Sequence, residues 1–172
     1  MKKSVIILVL SSLVACTSEV ERLAVSNQEQ AINNYISAQM AADTSVRMVA
    51  NNGSYRLIRM PGSAPEAAAG DSVRFYYIAY VFSNGKGMVF DTNRDTLGFK
   101  ADTLGLKTDG GIGVVGAGHY IPGLDNGLTG MKTGEKAELI FPAAQGFGNV
   151  TVGLVPPLSA LLFEIEMIQI NK

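Results

Sequence analysis

Apolar and polar residues alternate with a period of two in several stretches of the chain beyond residue 50. Val73, Phe75, Tyr77, Ala79 and Val81 share one face of a strand, and Asn84-Gly85 is the turn that sends it back. Residues 136–141 alternate in the same way and point Ala137, Leu139 and Phe141 inward. The last strand is the clearest, with Leu161, Phe163, Ile165 and Met167 on one face and Glu164 and Glu166 on the other. Upstream, Asn51-Asn52-Gly53 signals a turn before an alternating strand at 55–60. Residues 61–70, rich in Pro, Ala and Gly, read as a loop.

Helical spacing occurs in two places. Residues 27–42, with Ser26 as N-cap, carry Ala31, Ile32, Tyr35, Ile36 and Met40 on one moderately apolar stripe. Residues 123–129 form the one short helix predicted between strands. The pattern therefore predicts an α+β fold: an antiparallel sheet curved around one short helix, preceded by an N-terminal helix. The stripe on that first helix has two readings, packing on its own domain or a weak homodimer contact.

The N-terminus sets the expected compartment. Lys2 and Lys3 precede a short apolar run from residue 5 to 14, too short to span a membrane and shaped like a cleavable export signal. Leu13, Val14, Ala15 and Cys16 then resemble the pattern cut before a lipidated cysteine. Cys16 is the only cysteine, so no internal disulfide can form. The alternatives are a lipid attachment point and a buried, inert thiol. The expected organisation is a signal peptide at 1–15, a lipidated Cys16 with a polar tether at 16–26, a helical extension at 27–50 and one domain at 51–172. Thr17 and Ser18 lack the aspartate that favours inner-membrane retention, which directs the expectation to the outer membrane, on its periplasmic or surface face.

Charge narrows the partners. The 172 residues carry 14 basic and 15 acidic side chains, and loss of residues 1–15 would take away two lysines and no acid, moving the formal charge from −1 to −3. A mildly acidic chain without basic runs offers no footprint for nucleic acid. His119 is the single histidine and no second cysteine exists, so neither a metal site nor a cofactor is expected. Gly111-Ile112-Gly113-Val114-Val115-Gly116 matches a dinucleotide fingerprint by letter only, since no strand precedes it and no helix follows.

Three segments carry a family resemblance. Residues 70–77 followed by Val89-Phe90-Asp91 form the first, residues 120–136 the second, and Leu154-Val155-Pro156-Pro157 with residues 161–166 the third. In order and spacing they resemble the FKBP-type peptidyl-prolyl cis/trans isomerase domain over about residues 54–170. The resemblance implies an FKBP-like sheet and a pocket that binds proline-containing segments, here of exported proteins. It implies catalytic roles for Tyr77, Phe90, Asp91, Ile121, Phe147 and Phe163, and substrate contacts at Tyr120, Leu124 and Val155, with Val155 at the rim. The plain alternative for the same aromatic residues is an ordinary core.

The sequence departs from the family in three places. Leu124 stands where the family often has tryptophan, and Phe147 where it usually has tyrosine. Residues 97–112 form a Gly- and Asp-rich insertion, readable as a lid, a partner-binding loop or a tolerated surface excursion. Three functions are consequently in play. One is an envelope isomerase assisting protein folding, and one a weakly catalytic peptide-binding chaperone using the same pocket. The third is a structural lipoprotein assembling through its helix.

Overall fold

The computed structural model describes the backbone of residues 4–94 and 112–172, and side chains from residue 19 onward within that range except Ile112. Helix α1 (Ser4–Ala42) leads into β1 (Arg47–Asn51), β2 (Ser54–Met60), β3 (Ser63–Glu66), β4 (Ser72–Phe82) and β5 (Lys86–Thr92). After the undescribed stretch come β6 (Ile112–Val114), α2 (Pro122–Leu128), β7 (Lys132–Thr133), β8 (Lys136–Phe141) and β9 (Leu161–Asn171). The main sheet runs β1-β2-β8-β9-β4-β5, every pair antiparallel, and β6 pairs with the start of β4 on the edge that β5 occupies farther along.

The expected α+β architecture is the observed one, and period two explains how the sheet holds two cores. Ala137, Leu139 and Phe141 of β8, with Leu161, Phe163, Ile165 and Met167 of β9, face α2 in one cluster that also takes Val73, Phe75, Tyr77 and Ala79 of β4. The alternate residues Leu57, Ile140 and Leu162 face the opposite side. There they meet Ile32 and Ile36 of α1, with Tyr35, Tyr55, Tyr80 and Phe82 packed around them. Burying each of the two isoleucines contributes roughly 2 kcal/mol. The stripe on α1 is thus used within its own chain, apart from Met40, which lies exposed near the helix end.

Beyond the end of that packing the same sheet face turns ionic. Glu138 pairs with Arg59 at 2.9 Å and Lys86 at 3.1 Å and accepts from the Tyr35 hydroxyl at 3.0 Å. Glu164 takes Lys86 at 2.7 Å and the Tyr80 hydroxyl at 2.6 Å. Burial, reinforced by Glu164, pushes the Tyr80 hydroxyl up to about 12. Glu166 pairs with Arg94, whose guanidinium also covers the Tyr76 ring.

Several boundaries differ from the sequence reading. The helix does not begin at residue 27 under a Ser26 cap. It runs on through the polar stretch 17–26, and Ser26 is interior. β1 brings residues 47–50, assigned to the helical extension, into the sheet. The loop expected at 61–70 contains β3, which pairs with β7. Of the 97–112 insertion, residues 97–111 lie outside the described residues. Ile112 opens β6, so the supposed fingerprint contains a short strand and runs into turns, with no helix directly after it.

Candidate active site

The site forms where β4, β5, β9, the segment before α2 and the loop before β9 converge on one side of the sheet. Tyr77 lies on β4, Phe90 and Asp91 on β5, and Phe163 on β9. Tyr120 and Ile121 lead into α2, which begins at Pro122, a residue suited to the first helical turn, and carries Leu124. Phe147 and Val155 occupy the long connection between β8 and β9. Eight of the nine expected pocket residues thus belong to one apolar cluster. Tyr77, Phe90, Tyr120, Leu124, Val155 and Phe163 are buried in it, with Ile121 and Phe147 half-buried at its margin. Asp91, the ninth, is fully buried beside them. Cys16 lies in α1, remote from the site in sequence, and its side chain is outside the described residues.

The aromatic rings meet at angles. Phe163 contacts Tyr77 at 6.0 Å, meets Phe90 edge-on at 5.9 Å and stacks on Phe141 at 5.7 Å. Phe147 approaches Phe90 edge-on at 6.3 Å between centroids, so the half-buried ring is held against the buried one. Gly123 permits this closeness. A Cβ there would come within 2.3 Å of the Phe141 ring, so only glycine lets α2 sit directly on that face.

A buried polar pair, Tyr77 and Asp91, stands among these rings. The Tyr77 hydroxyl donates to Asp91 Oδ2 at 3.1 Å, while Asp91 Oδ1 accepts the Thr92 N–H at 2.9 Å. Two residues missed by sequence reasoning fix the strand beneath it. Asn93 accepts the Tyr77 N–H at 2.8 Å and donates to the Phe75 carbonyl at 2.9 Å, and Thr92 donates to the Tyr77 carbonyl at 2.7 Å. These side chains serve β4 between the stretch paired with β6 and the stretch paired with β5. The run Asp91-Thr92-Asn93 at a strand end was the available signal, since such short side chains readily bond to backbone.

Two expectations change in detail. Val155, placed at the rim, is fully buried, its backbone bridged to Val152. Tyr120 contributes its ring, which meets Phe75 at 5.7 Å, but its hydroxyl is turned against β6, where a Cβ on Gly113 would lie 2.2 Å from it. That hydroxyl has no hydrogen-bond partner among the described residues, and burial holds its pKa well above the usual tyrosine range. His119 Nδ1 accepts the Val114 N–H at 3.1 Å and so closes a turn. The Ile121 carbonyl accepts from Leu124 and Asp125, whereas its own N–H donates to no backbone carbonyl among the described residues.

The comparisons point one way. The profile of a family described as FKBP-type peptidyl-prolyl cis-trans isomerase matches residues 64–168. The chain is similar to FK506-binding protein 1 of Aspergillus oryzae, at 32% identity over 123 residues that cover 69% of this chain and 99% of that protein. Longer relatives match as well. Identity to mouse peptidyl-prolyl cis-trans isomerase FKBP10 is 34% over 116 residues, 66% of this chain but 18% of that protein. Among solved structures, a peptidyl-prolyl cis-trans isomerase from Pseudomonas syringae pv. tomato superposes with a TM-score of 0.61 at 23% identity, covering 88% of this chain and 96% of the other. FkpA from Escherichia coli gives 0.60 at 20% identity, covering 99% and 74%. These two likenesses establish the fold.

Proposed function

The chain belongs to the FKBP-type peptidyl-prolyl cis-trans isomerase family, and from that premise we propose that it is a lipid-anchored envelope enzyme that turns X–Pro bonds in exported proteins. Rotation about such a bond meets a barrier of about 20 kcal/mol because the planar amide must give up its resonance. No covalent bond is made or broken, so the work falls to surroundings that favour the twisted amide. A dry aromatic wall weakens the more polar planar form. Tyr77, Phe90, Phe147 and Phe163 supply that wall, Leu124 its floor and the Tyr120 ring its side, with Val155 packed behind. The Ile121 N–H is the donor for a substrate carbonyl. Asp91 orients the Tyr77 hydroxyl and sets the local field.

The observation that carries this reading is the Tyr77–Asp91 hydrogen bond, a buried polar pair set beside the Phe90 and Phe163 rings. The client is a proline-containing segment of an exported protein. Anchoring falls to Cys16, lipidated after removal of residues 1–15, and the outer membrane is the proposed location. Several acyl chains are needed, because a single chain binds only marginally.

The test is the cis-to-trans rate of a Phe-Pro peptide with the full chain in mild detergent, run beside Asp91→Ala. Acceleration that falls roughly tenfold or more in the variant, about 1.4 kcal/mol of barrier, supports the enzyme. A folded protein that binds the peptide without acceleration leaves the chaperone reading, which Phe147 favours because it brings no hydroxyl to the bound peptide. Acyl labelling that persists in Cys16→Ser would sink the proposed anchor.

A further inference from the structure

We propose that Gln28 of α1 is a positioning residue for the prolyl pocket, acting through the loop that carries Phe147 and Val155. The proposal rests on the reading of that cluster as the pocket. Both atoms of the Gln28 amide are engaged. Its Oε1 accepts the Ala143 N–H at 2.8 Å, and its Nε2 donates to the Leu158 carbonyl at 2.6 Å. Those two backbone groups are themselves linked through the loop. Gly148 N–H donates to the Ala143 carbonyl at 2.9 Å, and Leu158 N–H donates to the Gly148 carbonyl at 2.8 Å. The four bonds close a ring, Gln28 to Ala143 to Gly148 to Leu158 and back, that gathers both ends of the β8–β9 connection.

Phe147 precedes Gly148 in that ring, and Val155 sits three residues before Leu158. The loop has little regular structure of its own: a 3₁₀ turn at Ala143–Gln145 and the Val152–Val155 bridge. Leu158 is held at a φ of 53°, a left-handed conformation that a leucine adopts only where its surroundings fix it. A second link runs in parallel, from Asn149 Nδ2 to Glu21 Oε1 at 2.9 Å. Glu21, Ala24, Val25, Gln28, Ala31, Ile32, Tyr35 and Ile36 continue one helical face that is buried or half-buried. Ile32 and Ile36 of that face belong to the rear core. The helix therefore packs as part of the domain, and the hydrogen bonds of Gln28 and Glu21 fall on the segment whose aromatic ring touches Phe90.

The experiment uses the full chain in mild detergent and reads two quantities, kcat/KM on a Phe-Pro peptide and the amide exchange rates of Gly148 and Leu158. Gln28→Met keeps the side-chain length and removes both bonds. It is expected to speed exchange at those two amides and to lower kcat/KM roughly fivefold, with the fall in kcat, because a loosened wall costs the twisted state more than the bound ground state. Exchange at Phe163 stays unchanged. Gln28→Glu, which keeps the acceptor for Ala143 and loses the donor to Leu158, gives an intermediate value and serves if the first variant does not fold. Gln30→Met, on the exposed side of the same helix, leaves both readings alone. Faster exchange with unchanged kcat overturns the proposal in favour of a purely structural clasp, and unchanged exchange overturns it outright. A wild type that binds the peptide without turning it over refutes the pocket as a catalytic site. The clasp is then judged on the peptide Kd, and an equal Kd in Gln28→Met refutes it too.

Discussion

Replacing Asn93 with alanine tests whether side chains complete the sheet edge under the site. Asn93 is buried, 2% exposed, and its amide makes two bonds to backbone groups of β4, the Tyr77 N–H and the Phe75 carbonyl. Alanine removes both and leaves the two buried groups without their partner. A buried backbone group stripped of its hydrogen bond costs about 1–3 kcal/mol, so the sum is about 2–6 kcal/mol, the lower end applying where water enters the vacated space. For a chain of this size that corresponds to a drop in Tm of roughly 4–24 °C. The chain has no tryptophan, so urea unfolding is followed by near-UV circular dichroism of its six tyrosines. The midpoint should fall with an unchanged m-value. A loss below about 1 kcal/mol would refute the reasoning, because it would mean that β4 does not depend on Asn93 at this point.

Gly123→Ala should destabilise by about 2–3 kcal/mol despite alanine's better helix propensity, since its Cβ collides with Phe141; thermal unfolding checks this. Tyr120→Phe removes a buried hydroxyl with no partner among the described residues, so stability should stay level or rise by up to about 1 kcal/mol. Peptide turnover should also be unchanged, because that hydroxyl packs against Gly113 of β6 while the ring stays in place. Arg94, with help from Lys136, holds the Glu166 carboxyl below the usual glutamate range. A depressed folded pKa contributes stability above the unfolded value near 4.5 that is lost as pH falls through the folded one. The urea-midpoint advantage of the wild type over Glu166→Gln should therefore shrink on going from neutral pH toward pH 3, and a constant gap would contradict the assignment.

The strands legible in the sequence are those with one face buried. β4, β8 and β9 announce themselves because a core lies on one side of each and their residues alternate accordingly. β1 and β3 do not, since β1 is an edge strand exposed along most of its length and β3 is exposed throughout and carries Pro65. The N-terminal part of α1 was missed for a related reason. Glu21 meets the body through a hydrogen bond, and hydrophobic periodicity cannot register a polar contact. Family resemblance supplies the order of the nine expected pocket residues, which lie together in the fold. Thr92, Asn93 and Gly113 were not legible, because their roles depend on which edge of β4 the neighbouring strands leave unpaired. Val155, expected at the rim, is buried beside a local backbone bridge that no side-chain pattern encodes.

The two cores share the same strands, and this bears on how the site is held. Leu139 pairs with Phe163 on the side of the aromatic wall, and the next pair, Ile140 and Leu162, lies under α1. A displacement of β9 that moved Phe163 would therefore also disturb the packing of Ile32 and Ile36 on the opposite face. Packed interiors resist such shifts because lost contacts are not replaced. The sheet thus gives the buried half of the site, Tyr77, Phe90, Asp91 and Phe163, a rigid backing on both sides. The remaining wall, Phe147, stands on a loop with little regular structure, and its position depends on polar contacts with the helix behind the sheet. The two parts of the site are therefore held differently, Tyr77, Phe90 and Phe163 by paired strands and Phe147 by hydrogen bonds at the base of its loop.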